Sequence, residues 1–373
     1  MTSEAVALLA DLVRARSVAS GEGELARSCA GVLEKAGLST TLVDFEAGRE
    51  QLVANLGDRT APLTLTGHLD TVPATPTDWS VDPWSAARDG DRMVGRGTSD
   101  MKSGVAAALV AVTRHGGRPH DCRGVQVVLT AGEETGCTGA LRIPRTAVRS
   151  GGPLVVAEPT RNRLVPAHKG ALWLRLTAAG VAAHGSAPEL GDNAAVRLAR
   201  AAVAVHDHAG WPVQDGFGPV TANVGVLRGG VQPNVVPDSA EMYVDLRTVP
   251  SVDPQALRDL VGSLAGPGVT VADHVDLPPL DTALDDPFVA LVAESLEAVG
   301  LPAEPAPPAR YFTDASALGP LLAEQGSSVP TVVLGPGEPE QCHVADEWCS
   351  VSRVDEAVAV YAELLDRWCG LGH

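Results

Sequence analysis

The chain has few cysteines, no signal-peptide pattern and no long apolar run, and each shortage excludes a class of protein. Its six cysteines in 373 residues lack the spacing of a structural metal site and are typical of reduced thiols in a cytoplasm. They are Cys29, Cys122, Cys137, Cys342, Cys349 and Cys369. The start, Met1–Leu9, has the pattern of a capped amphipathic helix and not that of a signal peptide. No stretch is long enough to span a bilayer, so we expect a cytoplasmic protein without a membrane partner.

Runs of basic residues are also absent. The formal net charge is −18, and no cluster of Lys or Arg relieves it, so nucleic acid and anionic membranes are unfavourable partners. The chain is rich in core-forming residues, since 45% of it is hydrophobic and 20% charged. This composition predicts a globular protein, and at this length two domains are expected.

The most informative motif is His68-Leu-Asp70, which follows the apolar run Leu63–Gly67. Such a run predicts a strand, and residues two apart on a strand lie on one face. Asp70 can then hold the His68 imidazole in the tautomer that binds a metal. The motif alone is also compatible with an ordinary polar pair at a strand end, so its meaning depends on what else completes a site.

Acidic residues at two further places are candidates for completing it. Asp100 lies where a glycine-rich loop enters the apolar stretch Val105–Val112, although it could merely cap that helix. Glu133 and Glu134 end the strand-like run Gln126–Ala131. Adjacent acids are tolerated in a solvated turn, but beside a dication one can bind the ion while the other turns toward a water.

Two more candidates follow apolar strands. Glu158 comes directly after Leu154–Ala157, and His343 follows Pro330–Gly335 and a loop rich in proline and glycine. Open α/β sheets bind ligands beyond the carboxyl ends of their strands. Nitrogen and oxygen donors without clustered thiols favour a catalytic zinc-type centre over a structural cysteine site.

With these motifs the chain resembles the co-catalytic zinc exopeptidase and amidohydrolase family. That family includes acetylornithine deacetylase, succinyl-diaminopimelate desuccinylase, aminoacylase and carboxypeptidase G. The resemblance covers nearly the whole chain. It is carried by Gly67–Pro73, Gly95–Lys102, Gly132–Glu134, Ala157–Thr160 and Cys342–His343.

The resemblance implies a centre of two divalent metal ions, zinc first, with cobalt or manganese as alternatives. His68 and Glu158 would bind one ion. Glu134 and His343 would bind the other, and Asp100 would bridge the two.

The resemblance also implies the catalytic residues. Glu133 would be the general base, which takes a proton from the attacking water and passes it to the leaving nitrogen. Asp70 would stand behind His68. The peptide bond between Asp100 and Met101 is expected to be cis.

The order of predicted elements indicates one domain inserted in another. An α/β domain is predicted for residues 1–170 and 281–373, with a mostly parallel sheet and helices on both of its faces. Its helices are predicted near 3–17, 23–37, 285–299 and 353–368, and its strands near 40–45, 51–56, 62–67 and 329–335. Residues 171–280 predict a ferredoxin-like α+β unit, with strands near 171–180, 219–228, 237–247 and 268–276 and helices near 192–209 and 253–264. The resemblance implies that this insert is a lid and dimerisation domain of a homodimer.

Four more residues are candidate substrate ligands. From the sequence alone His184 and Asn234 could be turn residues, and Arg247 a solvated residue at a strand end. The resemblance implies instead that His184 reaches the oxyanion from the other subunit, while Arg247 binds a carboxylate and Asn234 another polar group. Thr313 matches a residue of a substrate-binding loop, although Phe312 stands where many relatives have glycine.

We therefore expect an enzyme that cleaves the amide bond of a small N-acyl amino acid or dipeptide-like substrate. The leading candidate is an N-acetylated basic amino acid such as acetylornithine, with a dipeptide or a succinylated diamino acid as alternatives. Pro166–Gly170 looks more like the acetylornithine deacetylase branch, although His168 could equally be a strand-end residue. Two other classes stay open: a non-catalytic ligand-binding paralogue, and a cysteine hydrolase that uses Cys342 beside His343.

Overall fold

The computed structural model describes residues 2–18, 20–57, 60–116, 123–325 and 327–370. The chain divides into two compact units. Unit 1 comprises Met1–Ala167, Thr282–Ala306 and Thr313–His373, and unit 2 comprises His168–Asp281 and Pro307–Phe312. The sequence had assigned residues 307–312 to the first domain. They belong to unit 2, where the Lys169 amide donates to the Ala309 carbonyl at 3.0 Å.

The described residues form eight α-helices and seventeen β-strands. The helices are α1 (Glu4–Arg14), α2 (Glu22–Lys35), α3 (Ser103–Gly116), α4 (Ala194–His206), α5 (Pro254–Ala265), α6 (Pro287–Ala298), α7 (Ala315–Leu322) and α8 (Val351–Trp368). The strands are β1 (Ser39–Glu46), β2 (Arg49–Leu56), β3 (Leu63–His68), β4 (Ala87–Asp89), β5 (Arg92–Val94), β6 (Val125–Thr130), β7 (Leu154–Val156), β8 (Ala167–His168), β9 (Gly170–Ala179), β10 (Val213–Gln214), β11 (Gly218–Pro219), β12 (Thr221–Gly229), β13 (Ser239–Thr248), β14 (Val269–Leu277), β15 (Leu280–Asp281), β16 (Thr331–Val333) and β17 (Trp348–Ser350).

The main sheet of unit 1 has the order β1-β2-β6-β3-β7-β16. Strands β6, β3, β7 and β16 run parallel, whereas β1 and β2 form an antiparallel edge. Strands β3 and β6 are buried along their whole length, as expected of strands covered on both faces. The predicted α/β class with a mostly parallel sheet is confirmed, and the carboxyl ends of β3, β6 and β7 meet at one edge.

The core of unit 1 lies between this sheet and several helices. Apolar residues of α1, α2, α3, α6 and α8 pack in one cluster with Leu65, Val127, Val155 and Val332 of the central strands. Helix α3 approaches β7 closely at Gly104, where a Cβ atom would lie 2.0 Å from the Ala157 carbonyl oxygen. Only glycine permits this approach, which brings the start of α3 beside the end of β7.

Unit 2 has the predicted β-α-β-β-α-β order. Its four-stranded antiparallel sheet has the order β12-β13-β9-β14. Alternate residues of β9 and β13 are buried, and they pack with α4 and α5 in a second core. Both helices begin at side-chain caps, since Asn193 accepts from the Val196 amide and Asp253 from the Gln255 amide.

Two sequence expectations concern the cell environment. No helix among the described residues is long and apolar enough to cross a membrane. Cys29, Cys137, Cys342 and Cys349 are free thiols, but Cys369 is disulfide-bonded, so the expectation of reduced thiols is wrong there. Spacing along the chain does not reveal which cysteines the fold brings together. Cys122 lies outside the described residues.

Candidate metal centre

His68 is the last residue of β3, and its side chain is only 1% exposed. Its Nδ1 lies 2.9 Å from the backbone carbonyl oxygen of Asp70, to which it can donate. This bond leaves Nε2 to face two carboxylates, at 3.1 Å from Asp100 Oδ1 and 3.8 Å from Glu158 Oε1. The ring is therefore oriented for ligation through Nε2.

The Asp70 carboxylate has a different contact from the one predicted. It lies 3.7 Å from His68 Nδ1, and it accepts instead from the backbone amides of Glu133 at 3.2 Å and Glu134 at 3.1 Å. The backbone carbonyl of Asp70 takes the place next to the imidazole. One residue thus holds both the histidine and the paired acids.

The paired acids follow β6 in a tight turn. Gly132 has φ +72°, which favours glycine, and a Cβ there would lie 2.5 Å from Thr138 Oγ1. Beyond it Glu133 is buried, and Glu134 Oε2 lies 2.9 Å from His343 Nε2. The turn therefore separates the two adjacent carboxylates, with Glu134 facing His343.

Asp100 lies between the two imidazoles. Its Oδ1 is 3.1 Å from His68 Nε2, and its Oδ2 is 3.3 Å from His343 Nε2. The peptide bond from Asp100 to Met101 is cis, as expected. Each Asp100 oxygen thus faces a different imidazole, the arrangement required of a bridging carboxylate.

Donor atoms converge closely enough to hold cations. One atom from each of His68, Asp100 and Glu134 lies within 4.8 Å of the others, and the same is true of His68, Glu133 and Glu158. These two sets contain four carboxylates and one imidazole, to which His343 adds a second imidazole. Oxygen and nitrogen donors in these numbers suit zinc-type divalent ions.

The protonation of the acidic residues reflects the excess of negative charge. Burial raises the pKa of Glu158 and Glu133 well above the usual range, and neighbouring carboxylates raise it further. Burial and Asp100 also raise the pKa of Glu134. The buried carboxylates therefore repel one another, and divalent cations would relieve that repulsion.

The pKa values of both histidines are raised as well, in their case by the neighbouring carboxylates. Burial alone would lower the pKa of His68, but Asp100 and Glu158 raise it well above the usual value. Hydrogen bonds to Asp100 and Glu134 raise the pKa of His343 to about 10. The residues present therefore fit a dinuclear centre, in which cations would take the place of these protons.

The segment that leads to His343 is fastened to the loop after Glu158. The Thr160 hydroxyl and the Thr160 amide both donate to the Gly335 carbonyl, and the hydroxyl accepts from the Gly335 amide. The Arg161 amide donates to the Gly337 carbonyl at 3.0 Å. His343 itself has φ +66°, uncommon for a residue other than glycine. Its position thus depends on contacts between distant parts of the chain.

Unit 2 holds three of the predicted substrate ligands. His184 and Asn234 lie on neighbouring segments, joined by the bond from the Gly185 amide to the Asn234 carbonyl at 2.8 Å. Arg247, near the end of β13, donates from Nε to Asp245 at 3.1 Å, and its guanidinium lies 5.0 Å from the centre of the Phe312 ring. The structure thus brings together His184 and Asn234.

Thr313 belongs to unit 1 and is fully buried. Its Oγ1 accepts from the Ala315 amide at 3.1 Å. The next residue, Asp314, was not singled out in the sequence. It is a buried carboxylate that accepts from Thr130, and burial raises its pKa to about 6. The adjacent threonine motif gave no signal that this acid would be buried.

Two sequence alternatives receive little support from the geometry. Burial and the carboxylates of Asp100 and Glu158 raise the pKa of the Cys342 thiol, which disfavours the thiolate that a nucleophile requires. His168 is fully buried, and burial lowers its pKa to about 4. Its contact with the Lys169 carbonyl at 2.8 Å is typical of a structural histidine.

Strand ends and neighbouring loops that bring two histidines and four carboxylates together are typical of the class of co-catalytic metallohydrolases. Within that class the chain belongs to Peptidase family M20/M25/M40, whose sequence model matches residues 64–367. It is accordingly a dinuclear metal-dependent amidohydrolase or metallopeptidase.

The chain is similar to known proteins over nearly its whole length. Acetylornithine deacetylase of Aliivibrio salmonicida (strain LFI1238) is 27% identical over 363 residues, which cover 94% of this chain and 92% of the relative. The fold is similar to the M20 family metallo-carboxypeptidase Sso-CP2 from Sulfolobus solfataricus, with a TM-score of 0.81, 18% identity and coverage of 98% and 99%. It is also similar to the Bacillus subtilis protein YXEP, described as a dinuclear metal binding peptidase from the M20 family, with a TM-score of 0.72, 14% identity and 98% coverage of both chains.

Proposed function

We propose that the protein is an N-deacylase of small N-acyl amino acids, with an N-acetylated basic amino acid such as acetylornithine as the first candidate. The observation that carries the dinuclear mechanism is the placement of Asp100 between His68 and His343. The proposed substrate is supported by the relatives named acetylornithine deacetylase. Because their identity to this chain is 27%, a succinylated diamino acid and a dipeptide stay as competing substrates.

In the proposed centre His68 and Glu158 hold one ion, Glu134 and His343 hold the other, and Asp100 bridges them. Two divalent ions, zinc first, would polarise the scissile carbonyl and lower the pKa of the attacking water. Cobalt or manganese would suit the same donors.

Glu133 is the proposed general base. Its backbone is anchored by the bond to Asp70, and its carboxylate is buried beside Glu158 and His68. A raised pKa increases the affinity of this carboxylate for a proton. Glu133 can therefore hold the proton taken from water and deliver it to the leaving nitrogen.

Arg247 and His184 are proposed to bind the substrate. Asp245 Oδ2 contacts Nε and Nη2 of Arg247, at 3.1 and 2.9 Å, so among the contacts of the described residues Nη1 is the part of the fork left for a substrate carboxylate. His184 Nδ1 accepts from the Ser186 amide at 3.1 Å. In the neutral ring the proton is therefore on Nε2, which can donate to a carbonyl oxygen as it becomes an oxyanion.

We also propose that the protein is a cytoplasmic homodimer assembled through unit 2. Strand β12 lies at one edge of its sheet, and an edge strand offers unpaired backbone groups to a second chain. Leu227 on this strand is 47% exposed, and Val196 and Val203 on α4 are 44% and 59% exposed. These apolar side chains support self-association there.

The proposal is tested by hydrolysis of N-acetyl, N-succinyl and dipeptide substrates. Metal-stripped protein, protein with Zn²⁺ or Co²⁺, and the Glu133→Ala variant are compared. We expect turnover that requires metal, is lost in the variant and is fastest with an N-acetylated basic amino acid. A faster dipeptide or succinyl substrate would replace the proposed substrate, and turnover in chelator would contradict the dinuclear mechanism.

A further inference from the structure

Glu347 is a buried acid outside the sequence motifs of the candidate centre. Its side chain is fully buried, and its carboxylate accepts four hydrogen bonds from the loop that carries Asp100. Oε2 accepts from Arg96 Nη1 at 2.7 Å and from the Gly97 amide at 3.0 Å. Oε1 accepts from the amides of Ser99 at 2.8 Å and Asp100 at 3.1 Å. One carboxylate therefore fixes the backbone on which Asp100 stands.

The loop is shaped to receive an anion. Gly97 has φ +84°, and a Cβ there would lie 2.7 Å from Thr71 Cγ2. This conformation turns three backbone amides inward, as in the concave sites that bind anions. Glu347 fills that site from within the chain, and its loss would leave buried donors without an acceptor.

Glu347 also belongs to the segment that carries His343. Asp346 fixes this segment at a second point, because its Oδ1 accepts from the Ser80 amide at 2.8 Å and from the Ser80 hydroxyl at 3.0 Å. The Ser99 hydroxyl donates to the Trp348 carbonyl at 2.7 Å. The loop of Asp100 and the segment of His343 are thus joined through buried polar bonds.

We propose that Glu347 is a positioning residue that sets Asp100 against His343 and thereby determines the ion affinity of the centre. The proposal rests on the proposed function, in which Asp100 and His343 are metal ligands. Outer partners of metal ligands act in this way when they fix the orientation of the ligand. Glu347 does so through the backbone of Asp100, whose side chain remains free to face both histidines.

The test compares Glu347→Gln with a matched control, Glu338→Gln. Glu338 lies on the same segment and is 2% exposed, but its carboxylate pairs with Arg161 and Arg353. Glu347→Gln retains the size of the side chain, but it replaces one acceptor oxygen by an NH2 group, which would face N–H donors of the loop. Metal-free proteins are titrated with Zn²⁺ by calorimetry, and their Co²⁺ absorption spectra and thermal midpoints are recorded.

We expect the Zn²⁺ affinity of Glu347→Gln to fall by about 10–100-fold and its Co²⁺ spectrum to change. Glu338→Gln should keep the affinity of the unmodified protein. Equal affinities for Glu347→Gln and Glu338→Gln would overturn the proposal, because Glu347 would then serve stability alone. If Glu347→Gln does not fold, Glu347→Asp is used, and an unchanged affinity in that variant would also overturn it.

Asp100→Asn is titrated in parallel to separate two kinds of failure. If Asp100→Asn binds Zn²⁺ with the affinity of the unmodified protein, Asp100 is not a ligand. The proposed centre and the proposed role of Glu347 are then both overturned. If Asp100→Asn binds weakly while Glu347→Gln matches its control, only the role of Glu347 is overturned.

Discussion

At the scale of single residues, Asp70 makes two sets of contacts that its spacing from His68 did not reveal. Its carbonyl oxygen holds the His68 imidazole, while its carboxylate holds the amides of Glu133 and Glu134. Glu133, the proposed base, and His68, a proposed metal ligand, therefore share one support. A shift of Asp70 would displace both.

Replacing the proposed base gives the most direct kinetic test. Glu133→Gln should lower kcat by about 10²–10⁴-fold, because the amide cannot accept the proton from water. The metal content should stay that of the unmodified enzyme, as measured by elemental analysis. Cys342→Ala is the control and should retain activity; loss of activity in that variant with retention in Glu133→Gln would favour the cysteine mechanism.

Metal binding should depend on pH in a direction set by the histidines. The pKa of His343 is raised to about 10 in the metal-free protein, so at neutral pH an ion must displace its proton. Affinity for Zn²⁺ or Co²⁺ should therefore increase as pH rises from about 6 to 9, with proton release. The same contacts stabilise the metal-free fold below the unfolded pKa, and this contribution is lost as pH rises through about 10.

Calorimetry in buffers of different ionisation enthalpy measures the proton release directly. A His343→Ala variant should release fewer protons and show a weaker pH dependence. Affinity that does not change between these pH values would contradict protonation of His343 in the metal-free protein.

At the scale of secondary structure, the sequence located the strand ends but not the buried loops. His68 ends one short apolar strand and Glu158 follows another, a local pattern that the composition of the sequence reveals. The burial of Glu347 could not be predicted from the sequence, because an Ala-Asp-Glu-Trp segment is typical of a solvated turn. Its burial depends on Arg96, about 250 residues away in sequence, and no local pattern encodes such a contact.

The close approach of α3 to β7 predicts the effect of a substitution at Gly104. Gly104→Ala places a Cβ against the backbone of Ala157 and should destabilise the fold by about 1–3 kcal/mol or more. It should also weaken metal binding, because the proposed ligands Asp100 and Glu158 lie just before α3 and just after β7.

The control is Gly31→Ala in α2, where a Cβ would meet no atom within 4 Å. Alanine in a helix interior should stabilise the protein by about 0.5–1 kcal/mol there. Chemical denaturation measures both changes. Equal stabilities for the two variants would show that the strand moves freely to accommodate the extra methyl group.

At the scale of the whole molecule, the order of elements predicted the inserted ferredoxin-like fold but not the return of residues 307–312 to unit 2. This segment has little regular structure, so periodicity gave no signal of its partners. Phe312 packs edge-on against Trp173, with ring centres 6.0 Å apart. The substitution of a bulky residue for glycine is thus explained by packing within unit 2.

The proposed homodimer can be tested by mixing two inactive variants, Glu133→Gln and His184→Ala, in the unfolded state and refolding them together. If His184 serves the other subunit, each mixed dimer holds one intact site. Random assortment then restores about a quarter of the unmodified activity, since half of the dimers are mixed. Each variant refolded alone is the control, and no recovery on mixing would place His184 and Glu133 in the same subunit or exclude the dimer.

The residues of the proposed centre come from two distant parts of the chain, and this has a consequence for biosynthesis. Residues before 168 supply His68, Asp100, Glu134 and Glu158, whereas His343 and Glu347 are made only after unit 2. On the ribosome unit 2 can fold while unit 1 still lacks β16 and α8. A chain terminated before these residues would carry His68 and the carboxylates without His343 and Glu347, so with the proposed ligand set we expect such a chain to bind divalent ions more weakly than one that contains them.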